Sequence, residues 1–215
     1  REKISVIHNP QDCSAIRSLA GEPSPIDLSA WPAPRVIASG RLSYQKDYPT
    51  MIRAFSQISK EISGSLLIIG QGEEEPVLRK LVGELGLSDR VGFLGWQSNP
   101  FAVFNQCDLF LLTSRFEGFG NAIIEAMLCG LPCVVTNSQG GPNEILENGR
   151  WGRLAPVGDV NAIASAVIEL LRDPAACCKL QKAGVERAAE FDVEVIAKKY
   201  LDVFEKFRNG SQIEQ

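Results

Sequence analysis

Two carboxylates, Glu117 and Glu125, flank a Gly-Phe-Gly turn in the stretch RFEGFGNAIIEAM at residues 115–127. Two cations, Arg41 and Lys46, stand in a second polar stretch, GRLSYQKD, at residues 40–47. A guanidinium fork and an ammonium point charge can together grip a diphosphate, and the same grip stabilises charge building on it as a leaving group. Gly118 and Gly120 let backbone come close to a ligand. Gly120, Asn121 and Ala122 stand where unpaired amides open a helix, which is a seat for an anion. Phosphate on that seat would meet Arg41 and Lys46 from the other side. Glu117, ahead of the helix, can reach outward to sugar hydroxyls, and Glu125, about one turn inside it, can accept bonds from both hydroxyls of a ribose. So placed, the two acids would hold two sugars flanking one diphosphate.

Each group also has a plainer reading. Arg41 and Lys46 can be solvated surface charges, acids near a helix start favour its dipole whatever the function, and Asn121 can be an N-cap. A glycosidase also uses two carboxylates, but it sets them in independent environments across a cleft rather than on one short loop. An NAD-linked oxidoreductase would carry G-x-G-x-x-G in the first loop and an acidic residue about 20 positions later, and GRLSYQKD has neither.

The elements that must position these groups follow from the apolar pattern. RVIAS (35–39), SLLII (65–69), VGFL (91–94), DLFLLT (108–113), PCVVT (132–136) and the shorter GRLA (152–155) read as strands. They are apolar rather than alternating, as parallel strands covered on both faces are. Helical patterns fall between them at 47–62, 74–86, 100–106, 121–129 and 142–147. In the first, Met51, Ile52, Phe55 and Ile58 form one stripe. A further amphipathic helix around Ile163, Ala166, Val167, Leu170 and Leu171 stops before Pro174, and two more follow at 174–190 and 192–208. This alternation predicts an α/β fold, a Rossmann-like doubly wound parallel sheet of about six strands with extra helices at the C-terminus. Ligands of such sheets bind beyond the carboxyl ends of the strands where the strand order reverses, so loops 40–47 and 114–121 should face each other.

Bulk properties narrow the function. A chain of 215 residues with formal charge -4 offers no general attraction to nucleic acid or to anionic membranes, so an anionic ligand must be held locally. No apolar run is long enough to span a bilayer and the start lacks a secretory signal, which makes the cytosol the default compartment. Six cysteines without CxxC pairs read as reduced thiols, and the lone His8 reads as an incidental residue with no zinc partners. Residues 9–34, with five prolines, read as a linker. The terminal NGSQIEQ is expected to fray. Arg1 at the first position and the strand-like VIHNP suggest a chain that begins within a longer protein.

Read together, SGRLSYQKDYPTMIRAF, LLIIGQGEEEPVLRKLVGELGL, RVGFLGW, DLFLLTSRFEGFGNAIIEAMLCGLPCVVTNSQGGPNEIL and GRLAPVGD resemble the successive motifs of the retaining GT-B glycosyltransferases of family 4. The resemblance covers about residues 35–175 and corresponds to the carboxyl-terminal, donor-binding domain. It implies a connector and the end of an absent amino-terminal domain at 1–34, a nucleotide-sugar donor domain at 35–190, and a C-terminal helix and tail at 191–215. Arg41 and Lys46 would bind the donor diphosphate, Glu125 the ribose, and Glu117 the transferred sugar, with Arg41, Lys46 and Glu117 as the catalytic set. Gly40, Leu94, Gly118, Phe119, Gly120, Asn121 and Ala122 would complete the donor site, the base lying near Leu94, Gly95 and Trp96. The Gly70–Gly72 loop could border it, although a tight turn explains both glycines equally. The implied donor is a nucleotide diphosphate sugar, with UDP favoured by GGPNEIL and Asn121, and no metal or other cofactor is expected. The acceptor would be a glycan or lipid-linked molecule bound by the absent domain, and any membrane association would come through that half. A noncatalytic nucleotide-sugar binding module remains the rival reading. Asp47, where the family often has glycine, and Leu128, where it commonly has a small residue, depart from the pattern.

Overall fold

The computed structural model describes residues 4–210. Strands β1 (Arg35–Ser39), β2 (Ser65–Ile69), β3 (Val91–Gly95), β4 (Leu109–Leu112), β5 (Cys133–Thr136) and β6 (Arg153–Ala155) build a parallel six-stranded sheet in the order β3-β2-β1-β4-β5-β6. Each expected strand is present, its ends within a residue of the apolar run that announced it. The order reverses between β1 and β4, which pair through Val36 with Leu109 and Ile37 with Phe110.

The helices are α1 (Cys13–Ala20), α2 (Tyr48–Glu61), α3 (Glu75–Glu84), α4 (Pro100–Phe104), α5 (Asn121–Leu128), α6 (Gly141–Leu146), α7 (Val160–Arg172), α8 (Pro174–Ala188) and α9 (Val193–Gly210). Their starts follow from local chemistry. Asp159 and Asp173 cap α7 and α8 by accepting from the amides of Ala162 and Ala176, each at 2.9 Å. Proline occupies the first turn of α2, α3, α4, α6 and α8, where its missing N–H costs nothing.

Successive strand residues alternate between two cores. Val36, Ala38, Leu66, Ile68, Leu109 and Leu111 pack with α2, α3 and α7 on one face. Ile37, Leu67, Ile69, Phe110 and Leu112 pack with α1, α4 and α5 on the other. This is why the strands read as continuous apolar runs: neither face meets water. Phe55 on α2 and Phe110 on β4 are fully buried, one on each side, and truncating either to alanine would cost about 3 to 5 kcal/mol.

The reading of 9–34 as a linker is corrected by α1. Asp12 caps it, accepting from the Ala15 amide at 2.8 Å, and Cys13, Ile16 and Ala20 are buried, the helix lying against α4 and α5. The prolines fall outside the helix and shape the turns around it. At the other end, α9 buries Ile196 and then leaves the body, so that Tyr200, Leu201 and Phe204 are exposed. No helix among the described residues is long and apolar enough to cross a membrane.

Candidate functional site

The turn after β1 and the turn after β4 lie face to face at the carboxyl ends of adjacent strands. The Arg115 amide donates to the Gln45 carbonyl at 2.8 Å, and Gln45 Nε2 donates to the Phe116 carbonyl at 3.0 Å. Thr113 Oγ1 lies 3.0 Å and 3.1 Å from the carbonyls of Lys46 and Asp47. Across this seam Lys46 Nζ meets Glu117 Oε1 at 2.6 Å, with 15% and 7% of the two side chains exposed. Ser114 Oγ donates to the same oxygen at 2.6 Å.

Glu117 therefore points inward, where the sequence suggested an outward reach. A carboxylate this buried is costly unless a cation and hydrogen bonds compensate it, and Lys46 and Ser114 do so. Among the described residues Glu117 Oε2 accepts no hydrogen bond, and Lys46 uses one of its three donors. Both groups keep capacity for a ligand while paired with each other.

Arg41 is not drawn into this pair. Its Nε and Nη2 donate to Glu73 Oε2 at 3.2 Å and 3.1 Å, and its side chain is 74% exposed. The two cations thus belong to one turn but face different carboxylates. Gly40 starts that turn with φ of 153°, its carbonyl accepting from buried Tyr48 Oη at 3.1 Å.

Helix α5 opens at the seam. Gly120, with φ of 100°, is its N-cap, so Asn121 is the first helical residue rather than the cap. The Ile123 amide is taken by the Gly120 carbonyl at 2.9 Å, whereas the amides of Asn121 and Ala122 have no protein acceptor among the described residues. These are the free donors that a helix start offers to an anion. Gly118 is exposed with open space around its Cα, and Phe119 stacks on His8, ring centroids 5.1 Å apart, with the edge of Phe191 at 5.5 Å.

Glu125, on α5, is half-buried, and its carboxylate makes no hydrogen bond among the described residues. Burial pushes its carboxyl above the ordinary carboxylate range, and the charge of Lys46 partly draws it back. Lys46 is thus felt by both acids. Leu94 packs on the second core, its carbonyl accepting from Gln97 Nε2 at 2.6 Å, and Trp96 is largely exposed beside it.

Close-packed glycines support both turns. A Cβ at Gly70 would overlap the Gly40 carbonyl, and one at Gly72 the Leu42 carbonyl, so both glycines let the turn after β2 seat against the cationic turn. Gly140 and Gly141 do the same for the carbonyls of Glu117 and Phe119. His8, read as incidental, bridges Phe119 to Glu144, with Nε2 at 3.0 Å from Oε2. Asn9 Nδ2 lies 3.4 Å from Asn121 Oδ1. The reduced-thiol reading fits: all six cysteines are free, and burial raises Cys13 to about 11 and Cys107 and Cys129 to about 12.

A doubly wound parallel sheet with a cation, two acids and an amide-lined helix start at its switch point defines an α/β domain whose polar groups gather where such sheets bind ligands. Residues 30–190 match the model of the family described as Glycosyl transferases group 1, and the chain belongs to that family. It is 36% identical over 165 residues to N-acetyl-alpha-D-glucosaminyl L-malate synthase of Bacillus anthracis, covering 77% of this chain and 39% of that protein. To the lipopolysaccharide core biosynthesis glycosyltransferase LpsE of Rhizobium meliloti it is 33% identical, covering 80% and 49%. The chain spans less than half the length of these relatives. Among solved structures it is similar to Alr3699/HepE of Anabaena in complex with UDP, with a TM-score of 0.81 and 27% identity over 94% of this chain and 57% of that one. The same protein in complex with UDP-glucose gives a TM-score of 0.80 at 28% identity, covering 94% and 57%. The fold is the Rossmann-like α/β arrangement of GT-B glycosyltransferases.

Proposed function

We propose that this chain is the donor-binding half of a retaining glycosyltransferase of family 4, and that it holds a UDP-sugar in the cleft between the turns after β1 and β4. The observation that carries the reading is the convergence of Lys46, Glu117 and the free α5 amides on one seam, with an unpartnered carboxylate, Glu125, about one turn along the same helix. The UDP and UDP-glucose complexes of HepE support a uridine nucleotide as the donor's leaving half.

In this reading the α5 amides and Lys46 take the diphosphate, Arg41 exchanges Glu73 for phosphate, Glu125 accepts from the ribose hydroxyls, and Glu117 Oε2 accepts from a hydroxyl of the transferred hexose or acetamidohexose. Leu94 and its neighbours lie against the base. As the bond between the anomeric carbon and the diphosphate oxygen breaks, the electron pair leaves on the diphosphate, where the cation and amides stabilise it. The acceptor oxygen attacks from the same face and passes its proton to the departing phosphate, which retains the anomeric configuration. The protein supplies charge neutralisation and alignment, and the reading asks for no protein nucleophile, metal or other cofactor. A glycan or lipid-linked acceptor, a reading supported by relatives named for lipopolysaccharide core biosynthesis, would be bound by residues beyond this chain, which alone is expected to bind donor without transferring it. A cytosolic site of action belongs to the same reading.

The test is ligand-dependent melting. A ligand preferring the native state raises its stability, so UDP is expected to raise the melting temperature where NADH does not, and GDP and ADP less than UDP. Equal protection by NADH would sink the reading. The rival, a binding module without chemistry, is separated by sugar transfer in the longer protein and its loss in Lys46→Ala.

A further inference from the structure

We propose that Arg115 and Asp47 are positioning residues for Lys46, an ion pair that pins the cationic turn on both sides of the ammonium-bearing residue. The inference rests on the donor reading above.

Asp47 stands where glycine would be the less strained residue by backbone geometry alone. It sits at φ 50° and ψ 47°, the left-handed region that disfavours side chains, and its carboxylate is only 1% exposed. A glycine would take the same backbone without strain and without burying a charge. What the aspartate adds is contact. Its Oδ1 meets Arg115 Nη2 at 2.8 Å and its Oδ2 accepts from Thr50 Oγ1 at 2.9 Å. The guanidinium of Arg115 also lies over the ring of Tyr44, 4.4 Å from its centroid.

Tyr44–Lys46 is one 3-10 turn, and Asp47 is the next residue and the N-cap of α2. Arg115 therefore grips the turn at its first residue, Tyr44, and just past its last, Lys46, while its own amide bonds Gln45 between them. Arg115 stands two positions before Glu117 in the opposing turn. The same two turns are thus crossed by two ion pairs, Lys46–Glu117 and Arg115–Asp47, and in this proposal the second sets where the first stands. Alignment of this kind matters because small displacements of a ligand-gripping group cost affinity steeply.

The experiment measures UDP affinity by calorimetry and melting temperature for wild type, Lys46→Ala, Arg115→Ala, Asp47→Gly and the Arg115→Ala/Asp47→Gly pair. Arg115→Ala is expected to weaken UDP by roughly tenfold and to lower the melting temperature, because Asp47 is left buried and unpaired. Adding Asp47→Gly removes that charge and the backbone strain, so the melting temperature recovers while affinity stays low, the turn being unpinned. Recovery of affinity together with melting temperature would show a merely structural pair and overturn the proposal, as would unchanged affinity in Arg115→Ala. If Arg115→Ala does not fold, Arg115→Lys keeps the charge without the fork and is expected to weaken UDP in the same sense, unchanged affinity again overturning the proposal. Wild-type affinity in Lys46→Ala, or no UDP binding by wild type, fails the donor reading itself and the positioning role with it.

Discussion

Glu125→Gln should make the protein more stable and a worse binder at once. The carboxyl is half-buried without a hydrogen-bond partner among the described residues, and burial holds its pKa above the ordinary value of 4.5. An acid whose folded pKa is raised binds more protons when folded than when unfolded across the window between the two values. Stability therefore falls as pH rises from about 4.5 through the raised folded value, and the cost is fully present above it. The amide carries no such cost. The variant is expected to gain about 1 kcal/mol at neutral pH, or about 2 to 4 °C in melting temperature for a chain of this size, and to lose that advantage toward the acid side of the window. For UDP the sign reverses. An ionised carboxylate can accept from both ribose hydroxyls, whereas the amide offers one acceptor and presents donors to the other hydroxyl. Losing a hydrogen bond to a charged group is worth about 1.5 to 3 kcal/mol, a weakening of roughly tenfold to 150-fold. Melting curves with and without UDP at about pH 5 and about pH 8 read both effects. A variant less stable than wild type at the higher pH, or one with unchanged UDP affinity, would refute the reasoning.

Lys46→Ala strands the nearly buried Glu117 carboxylate with Ser114 alone and is expected to cost about 3 kcal/mol in urea unfolding. Adding Glu117→Gln should restore most of that stability but none of the UDP binding. Gly141→Ala places a Cβ on the Phe119 carbonyl and should lower stability by about 1 to 3 kcal/mol, with weaker UDP binding because the 117–120 turn must move. A thiol-reactive dye applied to the native protein should label exposed Cys178 first, while Cys107, Cys129 and Cys133, whose thiols burial holds protonated, react only on unfolding.

The sheet was legible because its strands are buried on both faces, so runs such as SLLII carried no competing helical period. The facing turns were legible for a topological reason, since parallel connectivity fixes where strand order reverses. Helix α1 was hidden because eight residues lie between prolines, and its capping Asp12 looked like any polar loop residue. The inward turn of Glu117 and the outward turn of Arg41 depend on which carboxylate each cation finds nearest, which no spacing encodes. In the sequence Asp47 stands only as a departure from the family's glycine. Its left-handed backbone explains why glycine suits the position, and Arg115, far along the chain, explains why aspartate is tolerated. His8 became part of the site only through long-range packing on Phe119.

A crystal structure of the chain grown with UDP tests the central claim most directly. The diphosphate is expected within hydrogen-bonding distance of Lys46 Nζ and the amides of Asn121 and Ala122, with the ribose hydroxyls on Glu125. A nucleotide seated away from the β1–β4 switch point, with the Lys46–Glu117 seam untouched, would contradict it.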